Sequence, residues 1–108
     1  MGKIPSWERL YEMANFNQDS TGLEEVIYIS VKQGSHGPRL KVFRNKQPKG
    51  ENFSVTIEDS PKTTGSVFVN AKELKRIIEF VLLNKQVLLN YWNFEIDTVT
   101  LVKTLKKI

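Results

Sequence analysis

The hydrophobic positions of the chain change their period along its length. Trp7, Leu10, Tyr11 and Ala14 keep the i, i+3, i+4, i+7 spacing of a helical face. Ser6 is placed to cap that face and Glu8 lies in the first turn, so a first helix is predicted over about 7–16. The turn formers Asn17 to Gly22 end it. From Glu24 the period becomes two. Ile27, Ile29 and Val31 oppose Val26, Tyr28, Ser30 and Lys32 in a β-branched run that predicts a strand. After Gly34-Ser35-His36-Gly37-Pro38, Leu40 and Val42 oppose Arg39, Lys41 and Phe43 in a second strand that reaches Asn45. After Gln47-Pro48-Lys49-Gly50, Phe53, Val55 and Ile57 alternate with Asn52, Ser54, Thr56 and Glu58 in a third. Ser66–Asn70 is expected as a short fourth strand. Connections of about five to seven residues suit an antiparallel meander.

Beyond this run the spacing becomes helical again. Asn70 and Glu73 have the character of a capping box, and Leu74, Ile77, Ile78, Val81, Leu82, Leu88, Leu89 and Trp92 fall near one face. Position 88 stands close to four whole turns after position 74, so one helix to about Tyr91 is predicted even if it bends near Asn84. Thr98 to Leu101 reads as strand by composition, yet Leu101, Val102, Leu105 and Ile108 keep helical spacing behind Asp97 as a cap. A short C-terminal helix is therefore expected. The fold class is α+β in a single domain over 1–108. It comprises an N-terminal helix, a four-stranded antiparallel meander, a long helix packed on one face and a short C-terminal helix. In the core, Leu74, Ile77, Ile78, Val81, Leu82, Leu88 and Trp92 are expected to meet Ile27, Ile29, Val31, Val55 and Ile57.

Composition narrows the chemistry. With 108 residues, no cysteine and one histidine, thiolate catalysis, thiolate zinc sites and multi-histidine metal sites are excluded, and no cofactor or metal is expected. The longest apolar-rich segment, Ile77 to Trp92, is broken by Glu79, Asn84, Lys85, Gln86 and Asn90, so no membrane span is predicted. The start MGKIPSWERLYEM lacks the apolar stretch of a secretory signal, which points to a cytoplasmic chain. Matches to a myristoylation template at Gly2 and to a glycosylation sequon at Asn52-Phe53-Ser54 are read as chance.

The formal charge of +4 hides a strong local asymmetry. Between Val26 and Gly50 lie Lys32, Arg39, Lys41, Arg44, Lys46 and Lys49 with His36 and no acid, whereas Glu8, Glu12, Asp19, Glu24 and Glu25 crowd the earlier segment. If Leu40 and Val42 face the long helix, the other sheet face carries Tyr28, Lys32, Arg39, Lys41, Phe43, Ser54, Thr56 and Phe68. Aromatic rings on a sheet stack unpaired bases while cations neutralise phosphates. The expected contact set for single-stranded RNA or DNA is Lys32, Arg39, Lys41, Phe43, Arg44, Lys46 and Lys49. The competing reading has the first helix covering that face, which would make Tyr28, Phe43 and Phe68 core and leave the cations to protect an edge strand.

His36 stands in a glycine-flanked loop beside Lys32 and Arg39, where an imidazole can serve as general acid or base on a phosphodiester. The segment Lys32-Gln33-Gly34-Ser35-His36 resembles the Gly-Ser-His element of the HicA-type messenger-RNA-cleaving toxins, and that resemblance implies a small ribonuclease using His36. Over about residues 39 to 93 the element order, closing in Leu88-Leu89-Asn90-Tyr91-Trp92-Asn93, is similar to a family of small uncharacterised bacterial proteins found in toxin-antitoxin neighbourhoods. Pro48 and Phe53 stand where that family has a proline and an aromatic, but its histidines are absent, so no role of theirs carries over. No phosphate loop or nucleophile elbow is present, and Glu58 and Asp59 read as a solubilising loop edge. The expected function is a small non-enzymatic binding module for single-stranded nucleic acid. The alternatives are a protein-interaction or regulatory partner, such as a toxin-antitoxin component, and the ribonuclease.

Overall fold

The computed structural model describes residues 13–16, 21–32, 36–44 and 50–108. It is an α+β structure in which one antiparallel sheet carries a helical layer. The strands are β1 (Met13–Phe16), β2 (Val26–Ser30), β3 (Arg39–Phe43), β4 (Asn52–Thr56) and β5 (Thr63–Thr64), and they lie side by side in sequence order. The helices are α1 (Ala71–Leu83), α2 (Lys85–Trp92) and α3 (Thr98–Thr104).

Alternation decides which sheet face is buried. Ile27 pairs with Val42 and Ile29 with Leu40, while on the next strand Leu40 pairs with Val55 and Val42 with Phe53. These side chains form one apolar face, each 1% exposed or less, and Val31 and Ile57 extend it. A one-residue slip would turn every one of them to the other side, so burial fixes the register. The helices complete the core with Ile77, Phe80, Val81, Leu88, Tyr91 and Leu101, each worth roughly 1.5–3 kcal/mol before entropy is subtracted.

Four expectations are corrected. Of the predicted helix over 7–16, the described part, Met13–Phe16, is a strand instead. Met13–Phe16 pairs antiparallel with β2 from Met13↔Ser30 to Phe16↔Ile27, while positions 7–12 lie outside the described residues. Backbone groups along β2 that a helix would leave unpaired are satisfied by this strand. The predicted strand Ser66–Asn70 is absent. Gly65, at φ +100°, turns the chain off the sheet after Thr63–Thr64, and Phe68 and Val69 then pack on the core from irregular backbone. The single long helix is two, broken at Asn84. Its buried stripe runs through Ile77, Phe80, Val81, Asn84, Leu88 and Tyr91, so Leu82, predicted inward, is exposed. The tail does form a helix, with the Asp97 carboxylate accepting the Thr100 N–H at 2.8 Å.

Asn84 explains the break. It is 2% exposed, its Nδ2 donates to Phe80 O at 3.1 Å and to Lys106 O at 2.9 Å, and its Oδ1 accepts from Lys106 N at 2.8 Å. One buried amide thus closes α1 and holds the segment after α3 against it. The tail then reaches the segment before β2, where the Ile108 N–H donates to Thr21 O at 2.9 Å. Gly22, at φ +80°, sits so close that an added Cβ would lie 2.5 Å from Ile108 O.

Two outcomes follow from these contacts. Asn84→Ala removes both hydrogen bonds to Lys106 and is expected to lower unfolding stability in urea by about 2–3 kcal/mol. Gly22→Ala combines a left-handed backbone with a backbone clash and is expected to lose about 1–3 kcal/mol by the same measurement. Wild-type stability in either variant would show that the tie concerned is not made.

Candidate functional site

The basic run of the sequence is divided by the pleat. Residues of β3 with odd numbers point away from the helices, so Arg39 and Lys41 stand half-buried on the second sheet face, Lys41 between Tyr28 and Ser54 and Arg39 beside Thr56. Lys32, just beyond β2, has an exposed side chain, and its N–H donates to Trp92 O at 2.8 Å. None of these three cations makes an ion pair among the described residues. The local reason is composition, because the residues of β2 to β4 on that side are Val26, Tyr28, Ser30, Arg39, Lys41, Phe43, Asn52, Ser54 and Thr56, with no acid among them.

Other members of the expected contact set are placed differently. Phe43 is on the second face but only 5% exposed, with the edge of one ring against Tyr28 at 5.6 Å between centroids, so it offers no surface for stacking. Arg44 has the opposite parity and leaves that face. Its Nε and Nη2 donate to the two carboxylate oxygens of Glu51 at 2.6 and 3.1 Å, and its guanidinium lies 4.5 Å over the Phe68 ring. Phe68 in turn packs edge-on against Phe53 on the helix side, so it is no part of the second face. Lys46 and Lys49 lie outside the described residues, as do Gln33, Gly34 and Ser35 beside the exposed His36. Whether residues 7–12 cover the second face also falls outside them.

A second cluster escaped the sequence reading. Glu24, Glu25 and Glu73 each bring a carboxylate oxygen within 4.8 Å of the others, at a cleft of about 390 Å³ lined also by Arg44, Phe68, Val69 and Asn70. Asn70 caps α1, its Oδ1 accepting from Glu73 N at 2.8 Å. The Glu73 side chain turns to the segment before β2, where it accepts from Glu24 N at 3.4 Å. Arg76 lies 3.8 Å from Glu73 and donates to Gly22 O at 2.9 Å. Glu25 Oε1 is shut off from solvent with no donor in reach among the described residues. Its contact with Glu73 becomes a hydrogen bond only when one of the two carboxyls carries a proton. Burial, then this bond to Glu73 and the nearby negative charges of Glu73 and Glu24, push the Glu25 carboxyl up to about 8.

The three carboxylates offer hard oxygen ligands of the kind a divalent cation takes, which the exclusion of thiolate and imidazole sites does not cover. Arg76 pairs with Glu73, and Arg44 lines the cleft. Among carboxylates on loop edges, Glu58 accepts from Thr56 Oγ1 at 2.5 Å and Asp59 pairs with Lys85, so both serve as local ties.

No family model, curated protein or solved structure matches the chain. No helix among the described residues is long and apolar enough to cross a membrane.

The Glu25 carboxyl has a definite linkage sign. Its folded value lies above the 4.5 of the unfolded chain, so the folded state holds the extra proton between the two. The stabilisation is complete below 4.5 and lost as the pH rises to about 8. Denaturant midpoints are expected to fall across that window, and Glu25→Gln, which keeps a donor for Glu73, is expected to flatten the fall. An unchanged slope in the variant would assign the effect elsewhere.

Proposed function

We propose that the chain is a non-enzymatic binding module that takes up single-stranded nucleic acid on the second face of its sheet. The observation that carries this reading is the set of cations there. Lys32, Arg39 and Lys41 have no acidic partner among the described residues, while Arg44, on the other face, is held by Glu51. Buried ion pairs and edge protection do not require several unpaired cations beside a half-buried tyrosine, whereas a phosphate backbone is neutralised by them. Because Phe43 is covered and Phe68 lies on the helix side, Tyr28 is the one ring of the expected platform left to meet a base. Binding is therefore phosphate-led and only weakly dependent on sequence.

Titration of labelled single-stranded RNA and DNA at two salt concentrations tests this. Arg39→Ala and Lys41→Ala are each expected to weaken binding and to reduce the slope of log Kobs against log salt by about 0.7, the contribution of one phosphate contact on a single strand. Arg44→Ala is expected to leave the slope unchanged. No binding at low salt, or equal losses from all three variants, would sink the reading.

A further inference from the structure

The register sets one residue from each of four strands side by side on the second face. Tyr28 of β2 pairs with Lys41 of β3, Lys41 with Ser54 of β4, and Ser54 with Thr64 of β5. Directly opposed residues point to the same side of a sheet with about 5 Å between their Cβ atoms, so the four form one continuous row across it. Tyr28, Lys41 and Ser54 are half-buried and Thr64 is exposed. The row is unsymmetrical about its cation. An aromatic ring stands on one side of Lys41 and two hydroxyls on the other.

The two hydroxyls have no task inside the fold. Neither Ser54 Oγ nor Thr64 Oγ1 makes a hydrogen bond among the described residues. The neighbouring row is the contrast. There Arg39 pairs with Thr56, whose Oγ1 donates to Glu58 Oε2 at 2.5 Å and accepts from the Lys62 N–H at 2.7 Å. Thr56 is thus committed to its own loop, whereas Ser54 and Thr64 are open. Strand β5 buries neither of its two residues, so what it adds to the second face is a hydroxyl beside Ser54.

Arg39 and Lys41 stand two residues apart on β3, about 7 Å along the strand, a step that suits successive phosphates of an extended chain. With such a chain lying along β3 and a base turned to the Tyr28 ring, the sugar edge lies over β3 and β4, beside Ser54. Phosphates need only donors, and the two cations supply them. A ribose 2′-hydroxyl is donor and acceptor at once, as is a serine hydroxyl, so the two satisfy each other. Deoxyribose offers no such partner. A half-buried hydroxyl covered by it loses water and gains nothing in return.

We infer that the second face selects RNA over DNA, with Ser54 as the specificity-determining residue that bonds a ribose 2′-hydroxyl beside the phosphate held by Lys41. The inference rests on the uptake of single-stranded nucleic acid by that face, proposed above.

Oligouridylate and oligodeoxyuridylate of equal length share bases and phosphates and differ in the 2′-hydroxyl. Fluorescence titration with both at two salt concentrations provides the test, with the 2′-fluoro form, which keeps a ribose-like pucker without the hydroxyl, as a third probe. The wild-type chain is expected to bind the ribo form about fivefold more tightly than the other two, the effect of one net hydrogen bond. The slope of log Kobs against log salt is expected to be the same for ribo and deoxy forms, because their phosphates are held alike. Ser54→Ala is expected to bring the ribo-to-deoxy ratio close to one, and Ser54→Thr, which keeps a hydroxyl, to retain the preference. Equal wild-type affinities, a ratio that Ser54→Ala leaves intact, or a 2′-fluoro form bound as tightly as the ribo form overturns the inference and leaves nucleic-acid uptake standing. The 2′-fluoro comparison needs no variant and so does not depend on how a variant folds. Absence of binding by every form at low salt removes the uptake and the selectivity together.

Discussion

The buried amide of Asn84 is the contact on which the helical layer depends. A break between two helices leaves main-chain groups without partners, and burying such groups costs about as much as losing a hydrogen bond each. At the break the Asn84 N–H and Nδ2 both donate to Phe80 O and Asn84 O accepts from Leu88 N, while the rest of the buried amide exchanges two bonds with the main chain of Lys106. It therefore sets where α1 stops and where the tail runs. The tail in turn brings Ile108 to Thr21, and Arg76 and Glu73 of α1 bind the adjacent segment through Gly22 and Glu24. Two segments distant in sequence are tied together over one helix by polar groups, not by apolar packing alone.

How much of this was legible in the sequence depends on the range of the interaction concerned. The alternation of Ile27, Ile29, Leu40, Val42, Phe53 and Val55 needs only neighbouring residues and reads directly as three strands with one buried face. The helical stripe was read about one position out of phase. The stripe through Leu74, Ile77, Ile78, Val81 and Leu82 and the stripe through Ile77, Phe80, Val81 and Asn84 share Ile77 and Val81, and hydrophobicity favours the first. What selects the second is the amide of Asn84 turning inward to a partner twenty-two residues away, which no local period records. Strand β1 is a similar case, because four residues become a strand through the edge they meet on β2.

The candidate site divides along the same line. That Arg44 opposes Lys41 follows from parity, and its pairing with Glu51 follows from the β3–β4 register, so both were within reach of the alternation once the strands were placed. The burial of Phe43 and the departure of Phe68 after Gly65 were not, since they depend on what lies across the sheet and on a backbone turn. The Glu25–Glu73 contact was least legible of all. It joins the start of β2 to the first turn of α1, and two separately unremarkable acids become unusual only when the fold encloses them together.

The sheet also separates charge. The carboxylates of Glu24, Glu25 and Glu73 gather with Arg44 and Phe68 on the helix side, and Arg39 and Lys41 stand on the other. At 4 Å two unit charges interact by about 1 kcal/mol in water and several times more near a protein surface, and the effect falls away within a Debye length of roughly 8 Å at physiological salt. An anion approaching the second face therefore meets Arg39 and Lys41 at close range and these three carboxylates only through the apolar layer of the sheet, while Glu58, bonded to Thr56 Oγ1 beside Arg39, stands on the near side. The raised Glu25 carboxyl, pushed up to about 8 by burial and by Glu73, reduces the opposing charge further. The burial that makes Glu25 costly to ionise and the pleat that sends Arg44 to Glu51 act in the same direction. Each leaves Arg39 and Lys41 without an ion pair among the described residues.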